Sequence, residues 1–402
     1  MRSFEQALAT VRDEVRKANP QPATETVALG SALGRVTALN VATDRDYPPF
    51  HRSTRDGFAV STSGFSRLPA ALECIGEVRA GGHIGGRVAA GQCVQIMTGA
   101  PLPEGTDAVV MIEHTRVEGA KVEVNRTLAP WENVVRRGSE APAGSTVLER
   151  GRRLRAGEIG LLASVGRAEV TVFRKPRVAV LPTGDEVVPV EQKPEWFQIR
   201  NSNAAMLEAQ VKAAGGVPIS AGVAPDRKEP LRRMIEQGLE ADLLILSGGV
   251  SMGKFDLVKE ALQDLGAEFF FHGVAIRPGK PLLFGRARGK FLFGLPGNPV
   301  SSYVTFEIFA RTALRMLAGE RFEQPIFLRA RLGKPFRQKH GLTAFVPAQV
   351  EMRDAEPMVS VVGWQGSGDL VGVAAANCFL VVHPDQKEIV AGDWVDVLPR
   401  SE

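Results

Sequence analysis

The chain has 402 residues, a formal net charge of +4 and 44% apolar residues. That length exceeds a single core, so two to four domains are expected, and that apolar share excludes wholesale disorder. No run of about 18 apolar residues argues for a membrane helix, and a mild positive charge without a basic run favours small anions over nucleic acid.

The opening MRSFEQALATVRDEVRK lacks the apolar centre of a signal peptide. Ser3 and Gln6 are spaced as a capping box, and Phe4, Ala7, Leu8, Val11 and Val15 share one helical face. Residues 27–45 read as loop and strand, and Tyr47-Pro48-Pro49-Phe50 forces an extended turn. From 54 to about 135, short apolar runs such as 93–97 and 108–112 alternate with glycine and proline turns. This predicts a β-rich module over 46–135. Residues 136–174 return to the mixed, glycine-broken texture of the first 45, so the module is read as an insertion. On this reading 1–45 and 136–174 form one mixed domain, with a helix over 154–164 closed by Gly166.

From 175 to 319 strand and helix patterns alternate. Strands are predicted at 178–181, 217–223, 243–246 and 268–276, with a hairpin at 282–295. Helices are predicted at 203–214, 229–239, 255–265 and 300–317. Such alternation specifies an open, mainly parallel, three-layer α/β domain over 175–320. The rest, 321–402, is β in texture and predicts a small C-terminal β-barrel. The fold class is therefore multidomain, α/β plus β.

The densest chemistry lies in ADLLILSGGVSMGKFD, residues 241–256. A strand, a glycine-rich turn and a helix in succession aim backbone N–H groups and a positive helix end at an anion. The spacing of Gly248, Gly253 and Lys254 mimics a phosphate loop. Phe255, however, stands where that motif needs a hydroxyl for magnesium, which excludes the nucleoside-triphosphatase reading. Asp256 then reads equally as a helix cap and as a metal ligand.

Ligands of open α/β sheets bind at the carboxyl ends of the strands. Those ends carry Pro182-Thr183-Gly184-Asp185-Glu186, Pro225-Asp226, Ser247 to Gly253, Arg277-Pro278-Gly279-Lys280-Pro281 and Gly294-Leu295-Pro296-Gly297-Asn298-Pro299. Glycine amides, Arg277, Lys280, Ser251 and Ser301 are suited to an oxyanion. Asp185, Glu186, Asp226 and Asp256 are suited to Mg²⁺, a hard cation that prefers oxygen ligands. Anion cradle plus metal is the equipment of phosphoryl or nucleotidyl transfer. The six histidines are dispersed, and Cys74, Cys93 and Cys378 form no metal or disulfide spacing. Few, scattered cysteines predict a reducing cytoplasm.

PPF with STRDGFAV, MTGAPLPEGTDAVVMIE, RRGSE, LPTGDE, QIRNSN, SGGVSMGKFD, RPGKP and GLPGNPVS occur in this order. Together they resemble the molybdopterin molybdotransferase family of the bacterial MoeA type, similar to the E domain of gephyrin, over nearly the whole chain. The resemblance implies four domains, a homodimer, and insertion of molybdate into adenylyl-molybdopterin with release of AMP and a need for Mg²⁺. By motif it implies catalytic roles for Asp56, Thr98, Glu186, Asp226 and Asp256, with Asp256 and Glu186 on the metal. It implies substrate contacts from Ser247, Gly248, Gly249, Ser251, Gly253, Pro278, Gly279, Lys280, Pro296, Gly297, Asn298 and Ser301. Contact with the adenylyltransferase of the preceding step and with molybdoenzymes is a further expectation; nucleic acid and membrane are not.

The sequence departs from the family at Arg55 and Phe58, where methionine and tyrosine are usual, at Glu140, where aspartate is common, and at Leu342 and Val346 in a late motif. The alternatives are the related adenylyltransferase, disfavoured by the extra β module, and a non-catalytic gephyrin-like scaffold, disfavoured by the retained carboxylates. Molybdate and tungstate share charge and near-equal size, so the choice between them is open.

Overall fold

The computed structural model describes all residues except 19, 66, 251–256, 322–323, 339 and 401–402. Helix α1, Phe4–Ala18, opens with the predicted capping box. The Ser3 N–H donates to Gln6 Oε1 (3.1 Å) and the Gln6 N–H to Ser3 Oγ (3.2 Å). Its buried residues are Phe4, Ala7, Leu8, Val11 and Val15, the predicted face. This face does not pack into the mixed domain with which the sequence groups it. It joins the core of the α/β region, where the Phe4 ring meets Phe309, Phe327 and Phe345 edge to face.

Strand Thr24–Ala28 pairs antiparallel with Glu169–Phe173, and Val41–Ala42 with Thr146–Leu148. Segments on either side of the β module thus share one core built on Ala32, Leu148, Leu154, Leu162 and Val172. The module between them holds a six-stranded sheet whose inner strand, Gly57–Val60, is buried throughout. Phe58 and Val60 face one apolar cluster and Ala59 the other, the two-residue period of a strand covered on both sides.

The α/β region has strands β1 (Arg177–Pro182), β2 (Val217–Ser220), β3 (Leu243–Ser247), β4 (Glu268–His272), β5 (Leu283–Ala287) and β6 (Lys290–Leu295). Their order is β2-β1-β3-β6-β5-β4, with β2, β1, β3 and β6 parallel and β5 antiparallel to both neighbours. The intervening helices are α2 (Ser202–Ala213), α3 (Lys228–Gly238) and α4 (Leu257–Asp264). Val178 and Val180 pack with α2 and α1 on one face, while Ala179 and Leu181 pack with α3 and α4 on the other. Burial on both faces is why these strands read as continuous apolar runs. The chain leaves β1 towards β2 on one side and returns past it to β3 on the other, so the order reverses between β1 and β3. A crevice is expected outside their carboxyl ends.

After β6 a helical run of Pro299–Thr305, Phe306–Ala310 in π geometry and Arg311–Leu317 closes the same core. The C-terminal strands Leu328–Leu332, Thr343–Arg353, Glu356–Val361, Cys378–Val382 and Trp394–Pro399 close into a five-stranded barrel. Ile276–Arg277 pairs with Thr343 and Ala344, linking the α/β region to it. Among the described residues no helix is long and apolar enough to cross a membrane.

Candidate active site

A cleft of about 490 Å³ opens where β1, β3 and β6 end. Pro182 is in register with Ser247, and Ser247 with Leu295, so the turns after all three strands start level. The Thr183 N–H donates to Ser247 O (2.9 Å) and the Gly248 N–H to Leu295 O (3.1 Å). The Gly248 amide thereby locks the turn. Gly248 has φ +94°, and an added Cβ would lie 2.9 Å from Thr183 O, so only glycine fits there.

The predicted residues Glu186, Asp226, Ser247, Gly248, Gly249, Pro296, Gly297 and Asn298 all line this cleft. Glu186 and Asp226 bring exposed carboxylates to it. Their loops are tied together: the Asp226 N–H donates to Asp185 Oδ1 (3.1 Å) and the Ile199 N–H to Glu186 O (2.9 Å).

Other predicted residues are placed elsewhere. Lys280 is exposed beside Pro281, which lines the cleft, but is not itself a lining residue. Pro278 and Gly279 are buried, and a Cβ on Gly279 would meet the Thr305 methyl at 2.5 Å, so this turn packs on the helical run. Ser301 is 4% exposed within that run. Asp56 and Thr98 bond to each other in the β module and do not line the cleft. Ser251, Gly253 and Asp256 lie outside the described residues.

Sequence reasoning expected the helix after 241–256 to aim its positive end at the ligand. Among the described residues, two other helix N-termini reach the cleft. Helix α2 starts with Asn201, Ser202 and Asn203 in the lining, its first turn capped by Asn201 Oδ1 accepting from the Ala204 N–H (3.0 Å). The run from Pro299 starts with Asn298 and Pro299 there. Each carries partial positive charge suited to an anion. QIRNSN and GLPGNPVS were visible as motifs, but only the fold shows that both open helices onto one cavity. The lining of the cleft thus combines anion-seeking helix ends with cation-seeking carboxylates.

The chain matches three family descriptions in succession. They are the MoeA N-terminal region (domain I and II) over residues 2–166, a probable molybdopterin binding domain over 179–316, and the MoeA C-terminal region (domain IV) over 329–399. It is 36% identical over 387 residues to the molybdopterin molybdenumtransferase of Bacillus subtilis (strain 168), covering 94% of this chain and 90% of that one. This chain belongs to the MoeA family. A Staphylococcus epidermidis member, also named molybdopterin molybdenumtransferase, is 35% identical over 382 residues, with 92% and 90% covered. The molybdopterin biosynthesis MoeA protein of Pyrococcus horikoshii OT3 superposes with a TM-score of 0.81 at 28% identity, covering 100% of each chain. Membership accounts for the succession of N-terminal, molybdopterin-binding-type and C-terminal parts along the chain.

Proposed function

We propose that this chain is a molybdopterin molybdotransferase, taking adenylyl-molybdopterin and molybdate to molybdenum cofactor and AMP. The observation that carries the reading is the convergence of two helix N-termini and two carboxylates on one cleft at the strand-order reversal. The names of the relatives supply the substrate class.

The diphosphate of the substrate lies against the Ser247-Gly248-Gly249 and Pro296-Gly297-Asn298 turns, where the helix ends offset its charge. Among the described residues no group of three metal-ligating side chains is present. Mg²⁺ needs fewer, since it binds through one or two carboxylates and completes its shell with water and phosphate. Glu186 and Asp226 fit that demand, with Asp256 retained on sequence grounds. When bound, the ion neutralises charge on the phosphates and weakens the anhydride bond. The chain itself orients the diphosphate so that an oxygen of water or molybdate bonds to one phosphorus as the P–O–P bond breaks and AMP departs; the two dithiolene sulfurs replace oxygens of molybdate, which leave as water. Lys280, exposed at the rim, draws the molybdate dianion.

A homodimer in which one protomer's β module closes the partner's cleft gives Asp56 and Thr98 a place in the site. The three cysteines are free, as suits the cytoplasm. The test is AMP release from purified adenylyl-molybdopterin: release that depends on molybdate supports the reading, and no such release, with pyrophosphate formed from ATP and molybdopterin instead, replaces it with the adenylyltransferase.

A further inference from the structure

Polar groups where β3, β6 and the start of α2 meet form a chain whose donor directions are set by its far end. Ser302 Oγ donates to the Pro296 carbonyl, which only accepts. With its proton committed, Ser302 Oγ accepts from the Ser247 hydroxyl, 3.4 Å away. With that proton committed in turn, Ser247 Oγ accepts from Asn203 Nδ2 at 2.9 Å. The second Nδ2 hydrogen goes to Gly297 O at 2.7 Å. A carbonyl cannot donate, so chemistry fixes which way the Asn203 amide points. That orientation leaves Asn203 Oδ1 buried and, among the described residues, without a partner; the Thr183 hydroxyl is in the same state.

We propose that Asn203 is a positioning residue of this site: by donating to both Ser247 and Gly297 it clamps the turns after β3 and β6 in register. These turns meet closely, since a Cβ on Gly297 would lie 3.5 Å from the Gly248 Cα. Glycines leave no side chain between them, so the side-chain link that adds to the Gly248 N–H bond to Leu295 O comes from the start of α2. A buried amide oxygen without a partner is costly, and such a group calls for a reason. Here the reason is the other end of the same amide, which needs two donors at one point. Serine and threonine offer one donor, and a carboxylate offers none. The proposal rests on the reaction proposed above only for its kinetic readout, because Asn203 acts through Ser247 and Gly297.

The test compares Asn203→Asp with Asn203→Ala. The first keeps shape and removes both donors; the second removes the side chain. At about pH 8 the introduced carboxylate faces the Gly297 carbonyl, so kcat/KM for AMP release falls about 100-fold, against about tenfold for Asn203→Ala. Neighbouring acceptors and burial raise the pKa of the introduced carboxyl. As the pH falls to about 6 it protonates, donates once, and Asn203→Asp climbs towards or past Asn203→Ala. The ratio of the two variants cancels the pH dependence of the reaction itself.

Hydrogen exchange of peptides spanning 243–250 and 295–300 reads the clamp without the reaction. Exchange is faster in Asn203→Asp at high pH and slows towards wild type at low pH, after correction for the intrinsic rate. Should Asn203→Asp not fold, Asn203→Ser, which restores one donor, falls between Asn203→Ala and wild type in both readouts. Wild-type-like kinetics and exchange for Asn203→Asp at pH 8, a flat ratio across pH, or Asn203→Ser no better than Asn203→Ala would each overturn the proposal. Absence of AMP release from the wild type would overturn the reaction instead, leaving the exchange result to decide the clamp.

Discussion

One carboxylate oxygen of Asp56 accepts both the backbone N–H and the hydroxyl of Thr98, each at 2.7 Å. The backbone bond first, and the hydroxyl bond second, hold this carboxyl below its ordinary range. Thr98→Val removes the second bond and keeps the first, so the Asp56 titration, followed by NMR, should move up part of the way. A depressed carboxyl contributes stability at pH values above the ordinary carboxylate range and loses it as the pH falls through the lowered pKa. An unchanged titration would show that the hydroxyl bond is not formed.

Glu320 is held by two arginines, Arg153 through Nε and Nη2 (3.1 and 2.8 Å) and Arg315 through Nε (2.7 Å). Arg153 also donates to Gly34 O (3.2 Å) and Ala214 O (3.1 Å), so the cluster joins the mixed domain to α2. Burial pushes the Glu320 carboxyl up, but the hydrogen bonds and charges of Arg315 and Arg153 outweigh it and bring it to about 2. Glu320→Gln should cost about 3 kcal/mol at neutral pH in urea denaturation. The difference from wild type should be full above the ordinary glutamate pKa and shrink as the pH falls from there towards 2. Equal stability of the two proteins at pH 7 would contradict this.

Gly184 has φ +137°, and an added Cβ would come within 2.5 Å of Glu186 Oε2. The obstacle is the tip of an exposed side chain, so Gly184→Ala should fold at a cost of about 1–3 kcal/mol from backbone strain. The Glu186 carboxylate should be displaced, raising the Mg²⁺ concentration needed for half-maximal AMP release. An unaltered metal requirement would remove Glu186 from the metal set.

The C-terminal part reaches the cleft through Ser367, whose Oγ accepts from Asn298 Nδ2 (2.9 Å) and whose carbonyl accepts from the Val300 N–H (2.9 Å). Ser367→Ala removes the first bond only. The expected result is a loss of about 1 kcal/mol in transition-state binding, measured as kcat/KM, with thermal stability close to wild type. A large fall in stability with kinetics unchanged would make Ser367 a folding residue instead.

Local periods carried much of the fold. The buried face of α1 and the apolar runs of β1 and β3 follow from spacing alone, because a helix or strand repeats its environment at a fixed interval. Long-range neighbours have no such signature. The ring cluster around Phe4 unites positions 4, 309, 327 and 345, so the partner of α1 was not readable. Cys74 and Cys93, separate in sequence, are direct register partners on parallel strands. At the site, the turns with Glu186, Asp226, Gly248 and Asn298 were legible, since glycine and proline beside charge mark strand ends in an α/β pattern. The role of Asn203 was not, because its amide's orientation is decided by a hydroxyl 44 residues away and a carbonyl 94 residues away.

The most direct measurement is the Mg²⁺ dependence of molybdate-driven AMP release, compared among wild type, Glu186→Gln and Asp226→Asn. If these carboxylates and the two glycine turns serve one reaction, wild type will release AMP only with Mg²⁺. Each variant will fold normally and then lose turnover or need much more of the ion. Full turnover by both variants at the wild-type Mg²⁺ requirement would contradict the account.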